Sequence, residues 1–394
     1  MGTALGDLDM ALGLPLGRDE GVPVLGELVP KLLAPVAALE SVLLDALQRP
    51  PCVVSFSGGR DSSGLLAMAC AVARREGLAL PVAATLVFPG DAAAEEGEWQ
   101  EAVLREVQVE HWERIAVAPG ELDAVGPVAT ALLRRYGLLW PFNTHFHMPI
   151  VERAAGGTVV TGFAGDELAR ASTFARAERI ICRRERAGLV DGVKICGLAL
   201  APRPVRMAVY RRRQGEPKPW LGPEGRRLAR ERLAFDDADE PFGFDRKLGW
   251  FWRSRYVQFC LDAFKRMGST SSVRFVHPFA SPPVLAALAR RGGVPGLGDR
   301  AEVVRLLFGG VLPPKALTRV SKAGFTAPLW TGTARRFAAE WSGGGFDDAL
   351  VDPRALRAHW LGEGLDLLST TLLQAAWLHD QGCEAAGARR SLGD

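Results

Sequence analysis

The chain has 394 residues, 48% of them hydrophobic and 24% charged, with a formal net charge of +3. That balance is ordinary for a globular protein with a sizeable core, and it excludes a disordered chain, a collagen and a disulfide mini-protein. No apolar run reaches the ~20 residues that span a bilayer, and the start carries Asp7 and Asp9 with no early Lys or Arg, unlike a secretory leader. The expectation is a cytoplasmic protein with no membrane partner.

Residues 1–26 read as a loosely held lead, and 27–394 as one unit. Helical periodicity runs over 27–48 and ends at Pro50-Pro51, after which CVVSFS (52–57) reads as a short buried strand. A helix over 62–77 closes at Gly77. LPVAATLVF (80–88) is a second strand, 97–112 a helix, ERIAVAP (113–119) a third strand, 121–137 a helix and GTVVTGF (157–163) a fourth strand. Alternation at this spacing predicts an α/β fold, a parallel sheet flanked by helices, with ligands outside the carboxyl ends of the strands. From about 245 onward the pattern is mainly helical.

Between these parts lies a basic excursion at about 170–245. Residues 170–232 hold 17 Arg plus Lys against 6 Asp plus Glu, so the rest of the chain is net acidic. Such asymmetry points to an acidic partner or to a solvated helical face. Aromatics are sparse within it, which does not favour nucleic acid. Its arginines, Arg211, Arg212 and Arg213 among them, offer bidentate sites for a carboxylated or peptide substrate. The six cysteines are scattered with no CxxC and read as buried, reduced side chains. His145 and His147 read as packing residues rather than metal ligands.

The sharpest feature is SFSGGRDSSGLLA (55–67). Two glycines let backbone amides turn towards an anion, and the helix beginning near Ser62 points its positive end at the same spot. Ser57, Ser62 and Ser63 add hydroxyls, and Asp61 can hold a magnesium ion that bridges phosphates. The plain alternative is a Gly-Gly turn with Asp61-Ser62 capping a helix. Strand, SGGxDS and helix in register resemble the PP-loop ATP pyrophosphatases, and no GxxxxGK[ST] is present. The resemblance implies that Ser57, Gly58, Gly59, Asp61 and Ser62 bind ATP and grip its pyrophosphate portion, so that AMP and pyrophosphate are the products.

Further segments narrow the resemblance to the asparagine synthetase-like synthetases. VVTGFAGDEL (159–168) is similar to their G-x-G-x-D-E segment, which makes Asp166 the second magnesium-binding aspartate beside Asp61. Two such carboxylates repel each other without a cation. RVSKAGFTAPLW (319–330) is similar to K-x-G-F-x-x-P, which implies that Lys322 reaches the phosphates and stabilises charge in the acyl-transfer transition state. Residues 253–282 resemble the helix and loop ending in R-x-PF-L-D. His277-Pro278-Phe279 stands at the proline–phenylalanine pair, with Arg274 and Val276 where Glu and Arg are usual. The resemblance covers about 27–380 and is poorest over 170–245.

Two departures shape the expected chemistry. With Gly2 and only about fifty residues before the loop, the chain is expected not to hydrolyse glutamine itself. The nucleophile is then free ammonia, an amine on a cosubstrate or on the same substrate, or ammonia from a partner protein. Phe163 stands where asparagine-forming members carry an acid and β-lactam-forming members a tyrosine, and it cannot relay a proton. Glu167 is the candidate base, with Glu98, Glu101 or the substrate's own groups as alternatives.

The expected function is an AMP-forming amide ligase using ATP and Mg2+. It would adenylate a small-molecule or peptide carboxylate and transfer it to an amine, as in natural-product or lasso-type peptide biosynthesis. Two readings compete with it. One is a PP-loop enzyme acting on RNA bases or sulfur, which wants a catalytic cysteine, whereas Cys52 and Cys70 read as core. The other is a non-catalytic nucleotide-binding scaffold, against which the retained Asp61, Asp166 and Lys322 weigh, since unused buried polar groups are costly.

Overall fold

A computed structural model describes residues 5–29, 33–89, 97–169, 174–183, 185–213, 215, 218–269, 271–312 and 326–382. Five parallel strands form its sheet: β1 (Cys52–Ser55), β2 (Val82–Val87), β3 (Trp112–Ala116), β4 (Thr158–Val160) and β5 (Arg274–Val276). They lie in the order β3-β2-β1-β4-β5. Val54 pairs with Ala83 on one side and Val160 on the other, and Val160 with Val276. The chain lays β2 and β3 to one side of β1, then returns to lay β4 and β5 on the other. The carboxyl ends of β1 and β4 therefore flank the point where strand order reverses, the crevice in which open α/β sheets bind ligands.

Alternating side chains of the central strands enter different cores. Val54, Ala83 and Val160 pack with the helices Pro35–Leu47, Arg60–Glu76, Pro282–Gly292 and Arg300–Phe308. Their neighbours Val53, Ala84 and Val159 pack on the other face with Leu132, Ile150, Val151, Phe264 and Met267. Burial on both faces explains why these strands read as unbroken apolar runs rather than alternating ones.

The structure departs from the sequence reading in three places. The fifth strand, Arg274–Val276, lies inside a segment read as helix and loop. The expected 27–48 helix is instead two, Leu25–Leu28 and Pro35–Leu47, the second opening on Pro35 in its first turn. Within the lead read as loosely held, residues 7–16 pack against the rest of the protein. Asp7–Leu12 is helical, and Ala11, Leu12 and Leu16 are buried in a third core built around Trp220, Trp341 and Trp360. Trp220 Nε1 donates to Ala11 O at 2.8 Å, and Arg255 pairs with Asp9 at 2.5 Å.

The basic excursion folds as the helices Ala175–Ile181, Leu189–Leu200, Arg203–Arg213 and Pro223–Asp239. Several of its cations pair locally, as Arg176 and Arg179 do with Glu185, while Arg211, Arg212 and Arg213 are exposed on its third helix. No helix among the described residues is long and apolar enough to cross a membrane.

Candidate active site

The loop after β1 is shaped by donors from outside itself. Thr85 Oγ1 donates to Phe56 O at 2.6 Å, Gln100 Nε2 to Ser57 O at 3.1 Å and Trp99 Nε1 to Gly58 O at 2.9 Å. Three successive carbonyls are thus held towards β2 and the helix Gly97–Val107. In a trans peptide the following amide points the opposite way, so the N–H groups of Ser57, Gly58 and Gly59 turn to the other side. There Ser62 Oγ accepts from Ser57 N at 3.3 Å and lies 3.2 Å from Ser57 Oγ. Gly58 has φ +80°, a left-handed turn that a side chain would oppose. The helix Arg60–Glu76 begins immediately, its first turn carrying Asp61 and a buried Ser62.

The segment after β4 meets this loop at close range. A Cβ at Gly165 would lie 2.7 Å from the Asp61 carboxyl. Ala164 occupies the position that the G-x-G-x-D-E pattern gives to its second glycine, and it takes φ +71°, a left-handed backbone that an L side chain opposes. Asp61 and Asp166 both contact one guanidinium, that of Arg300: Nη2 donates to Asp61 Oδ2 at 2.5 Å, and Nη1 pairs with Asp166 Oδ1.

Two hard-oxygen carboxylates close enough to share a cation fit Mg2+, which binds through one or two carboxylates plus substrate phosphates. No group of three or more metal-ligating side chains occurs among the described residues.

Glu167, next in sequence to Asp166, accepts from Tyr256 Oη at 3.1 Å. Burial, and then the Glu167 charge, hold the Tyr256 phenol well above its ordinary pKa, so it stays protonated and donates. Phe163 packs among Tyr256, Phe264 and His277, with ring centroids 5.5–6.3 Å apart. It fills apolar space and offers no proton relay. Burial lowers the His277 pKa to about 3, and its Nδ1 sits 2.7 Å from Thr161 Oγ1. Glu98 and Glu101 are exposed on the helix whose Trp99 and Gln100 face the loop.

Lys322 lies outside the described residues, and most of its segment with it. Arg274, noted where the family carries Glu, pairs with Asp45 on the helix Pro35–Leu47. Burial pushes the thiol of Cys52 up to about 12 and that of Cys70 up to about 11, which leaves neither a usable nucleophile. His145 is buried and hydrogen-bonded to Leu122 O at 3.0 Å, and His147 is half-buried and packed edge-on to Phe264.

One strand outward, at the same edge of the sheet, is a cavity of about 630 Å3. Its walls include Phe88 after β2, Val117 after β3, Leu122, Pro328, Thr331 and Arg336. Asp123 fixes one wall, accepting from Thr331 N at 2.8 Å and from Thr331 Oγ1 at 2.5 Å.

Strand order, loop and carboxylates are together those of a nucleotide-binding α/β domain of the PP-loop type. The chain belongs to the asparagine synthase family, whose family model, described as Asparagine synthase, matches residues 38–379. No curated protein matches the chain at a significant level. Membership supports an ATP-dependent amide ligase, and the family uses ATP, usually with Mg2+. Arg300, Tyr256, Trp99 and Gln100 were not singled out from the sequence. Asp299-x-x-Glu302 is a legible helix start, but nothing in it says that the residue between reaches Asp61.

Proposed function

We propose that this protein adenylates a substrate carboxylate and transfers the acyl group to an amine, releasing pyrophosphate and AMP. The observation that carries the reading is the meeting of Asp61, from the loop after β1, with Asp166, from the turn after β4, at the switch point of the sheet.

ATP would lie along Ser57, Gly58, Gly59 and Ser62, its phosphates on the inward amides and the start of the helix Arg60–Glu76. Asp61 and Asp166 would hold Mg2+, which when bound neutralises charge building on the phosphates. A carboxylate oxygen of the substrate attacks the α-phosphorus, and the bond to the bridging oxygen breaks as pyrophosphate leaves. Lys322 is proposed to stabilise that charge. The amine nitrogen then attacks the acyl carbon, AMP departs, and the surplus amine proton passes to Glu167, oriented by Tyr256. The nearby apolar cavity suits the body of the carboxylate substrate, with Arg336 for an acidic group upon it. The amine belongs to ammonia, a cosubstrate or the same molecule, the last closing a ring as in lasso-type peptides. Phe163, packed among aromatic rings, favours a non-catalytic nucleotide-binding reading.

The test is calorimetric binding of α,β-methylene-ATP with Mg2+ to wild type and Asp61→Ala, followed by a screen of carboxylates for pyrophosphate release. Binding lost in the variant, and release dependent on a carboxylate, are expected. A folded wild type that binds no nucleotide overturns the reading.

A further inference from the structure

Arg300 is the first residue of the helix Arg300–Phe308, an unfavourable place for a cation, because the helix dipole is positive at that end. Its mounting is nonetheless rigid. Asp299 Oδ1 accepts from Glu302 N at 2.9 Å and Glu302 Oε2 accepts from Asp299 N at 2.9 Å, so Arg300 is held between the two members of a capping box. Gly298 leaves room for that box, since a Cβ there would meet Glu302 Oε2 at 1.6 Å. From this mount the guanidinium reaches both Asp61 and Asp166, which come from different strand ends. Its Nε–H is buried and has no acceptor among the described residues, so its donors are only partly used in this arrangement.

We propose that Arg300 is a resident countercharge of the metal site, a positioning residue that holds Asp61 and Asp166 together and yields its place between them when a divalent cation arrives. The proposal rests on the reading of those two aspartates as the metal carboxylates. Without a cation between them, the carboxylates repel each other. The guanidinium removes that repulsion while the site is empty, and a divalent ion must displace it to reach the same oxygens. Arg300 therefore competes with the metal. It also keeps the carboxylates prearranged for the nucleotide-bound ion, which obtains further ligands from the phosphates and so wins the exchange.

The experiment measures Mn2+ binding by electron paramagnetic resonance, without nucleotide, in wild type, Arg300→Ala, Arg300→Gln and Asp61→Asn, with thermal unfolding in parallel. The alanine and glutamine variants are expected to bind Mn2+ about tenfold more tightly than wild type, ~1.4 kcal/mol, within what two partly exposed ion pairs reach together. Their unfolding temperature without metal should fall, and added Mg2+ should raise it more than in wild type. Should Arg300→Ala not fold, the glutamine variant alone decides. Unchanged or weaker Mn2+ affinity in the Arg300 variants, alongside loss of binding in Asp61→Asn, overturns the exchange and leaves the metal carboxylates standing. Absence of Mn2+ binding in every protein, wild type included and with α,β-methylene-ATP added, overturns the metal carboxylates and the exchange with them.

Discussion

Replacing Gly165 by alanine separates the geometry of the site from the stability of the fold. An alanine Cβ at this position would stand 2.7 Å from Asp61 Cγ and Oδ2 and 3.2 Å from Asp61 Cβ, against an ordinary contact of 3.4 Å or more. The carboxyl must then move by about 0.7–1 Å. The backbone itself does not resist, because Gly165 lies outside the left-handed region and opens a helix, where alanine is preferred to glycine by up to ~1 kcal/mol. Global stability should therefore change by less than about 1 kcal/mol in either direction. A displacement near 1 Å at a binding group costs far more, up to ~100-fold. Affinity for Mg2+ with α,β-methylene-ATP is expected to fall at least about tenfold by calorimetry, with the thermal midpoint nearly unchanged. Gly162 is the internal control: its added Cβ would lie 3.5 Å from Asp61 Cβ, in ordinary contact, and Gly162→Ala should bind within about threefold of wild type. Wild-type affinity in Gly165→Ala, or equal damage from Gly162→Ala, refutes the reasoning.

Glu167→Gln should slow acyl transfer by about 100-fold or more while nucleotide affinity holds, and Tyr256→Phe by less, since it removes only the hydrogen bond that orients the base. Single-turnover release of AMP measures both, and equal rates in all three proteins would remove Glu167 from the reaction. Arg336→Ala should raise KM for an acidic substrate about tenfold without changing kcat; an effect confined to kcat would place the substrate elsewhere. Burial lowers the pKa of His145 and His147 to about 4 and that of His277 to about 3. The unfolded chain takes up protons on these side chains near pH 6.5 and the folded protein only near pH 3–4. Stability is therefore full above about pH 6.5 and falls below it, at most about 1.4 kcal/mol per pH unit for each histidine. Urea titrations between pH 7.5 and 5 should show that decline, and a flat profile would mean that the rings are not buried as neutral groups.

The parts of the molecule that the sequence displays are those whose chemistry needs contiguous residues. Ser57 to Ser62 form one turn and must stand together, so strand, glycines and helix start are readable as a unit. β1, β2 and β4 are readable for a related reason: their central positions are buried between the two cores, which gives each an apolar run bounded by turn residues. β5 escapes because three residues, Arg274–Val276, carry no period, and its partner β4 is more than a hundred positions earlier. The packing of the amino-terminal segment escapes likewise, since Asp9 and Ala11 find Arg255 and Trp220 only through the tertiary fold. Arg300 is the extreme case. Its local sequence announces a helix start, while its contacts are with carboxylates brought there by two other loops.

The hydrogen bonds from Trp99 and Gln100 to the carbonyls of Gly58 and Ser57 mean that SGGRDS is not a portable part. Two of the three outside donors that shape it are encoded 41 and 43 positions downstream. The hexapeptide transplanted onto another strand end would keep its letters and lose the orientation of its amides. Conversely, an exchange of the helix Gly97–Val107 alone would alter the shape of the loop, and with it the proposed grip on phosphate, with every signature residue intact. Inheritance of function along this lineage is thus a matter of two segments travelling together, and a loop found without its distant braces is a weaker promise of nucleotide binding than its spelling suggests.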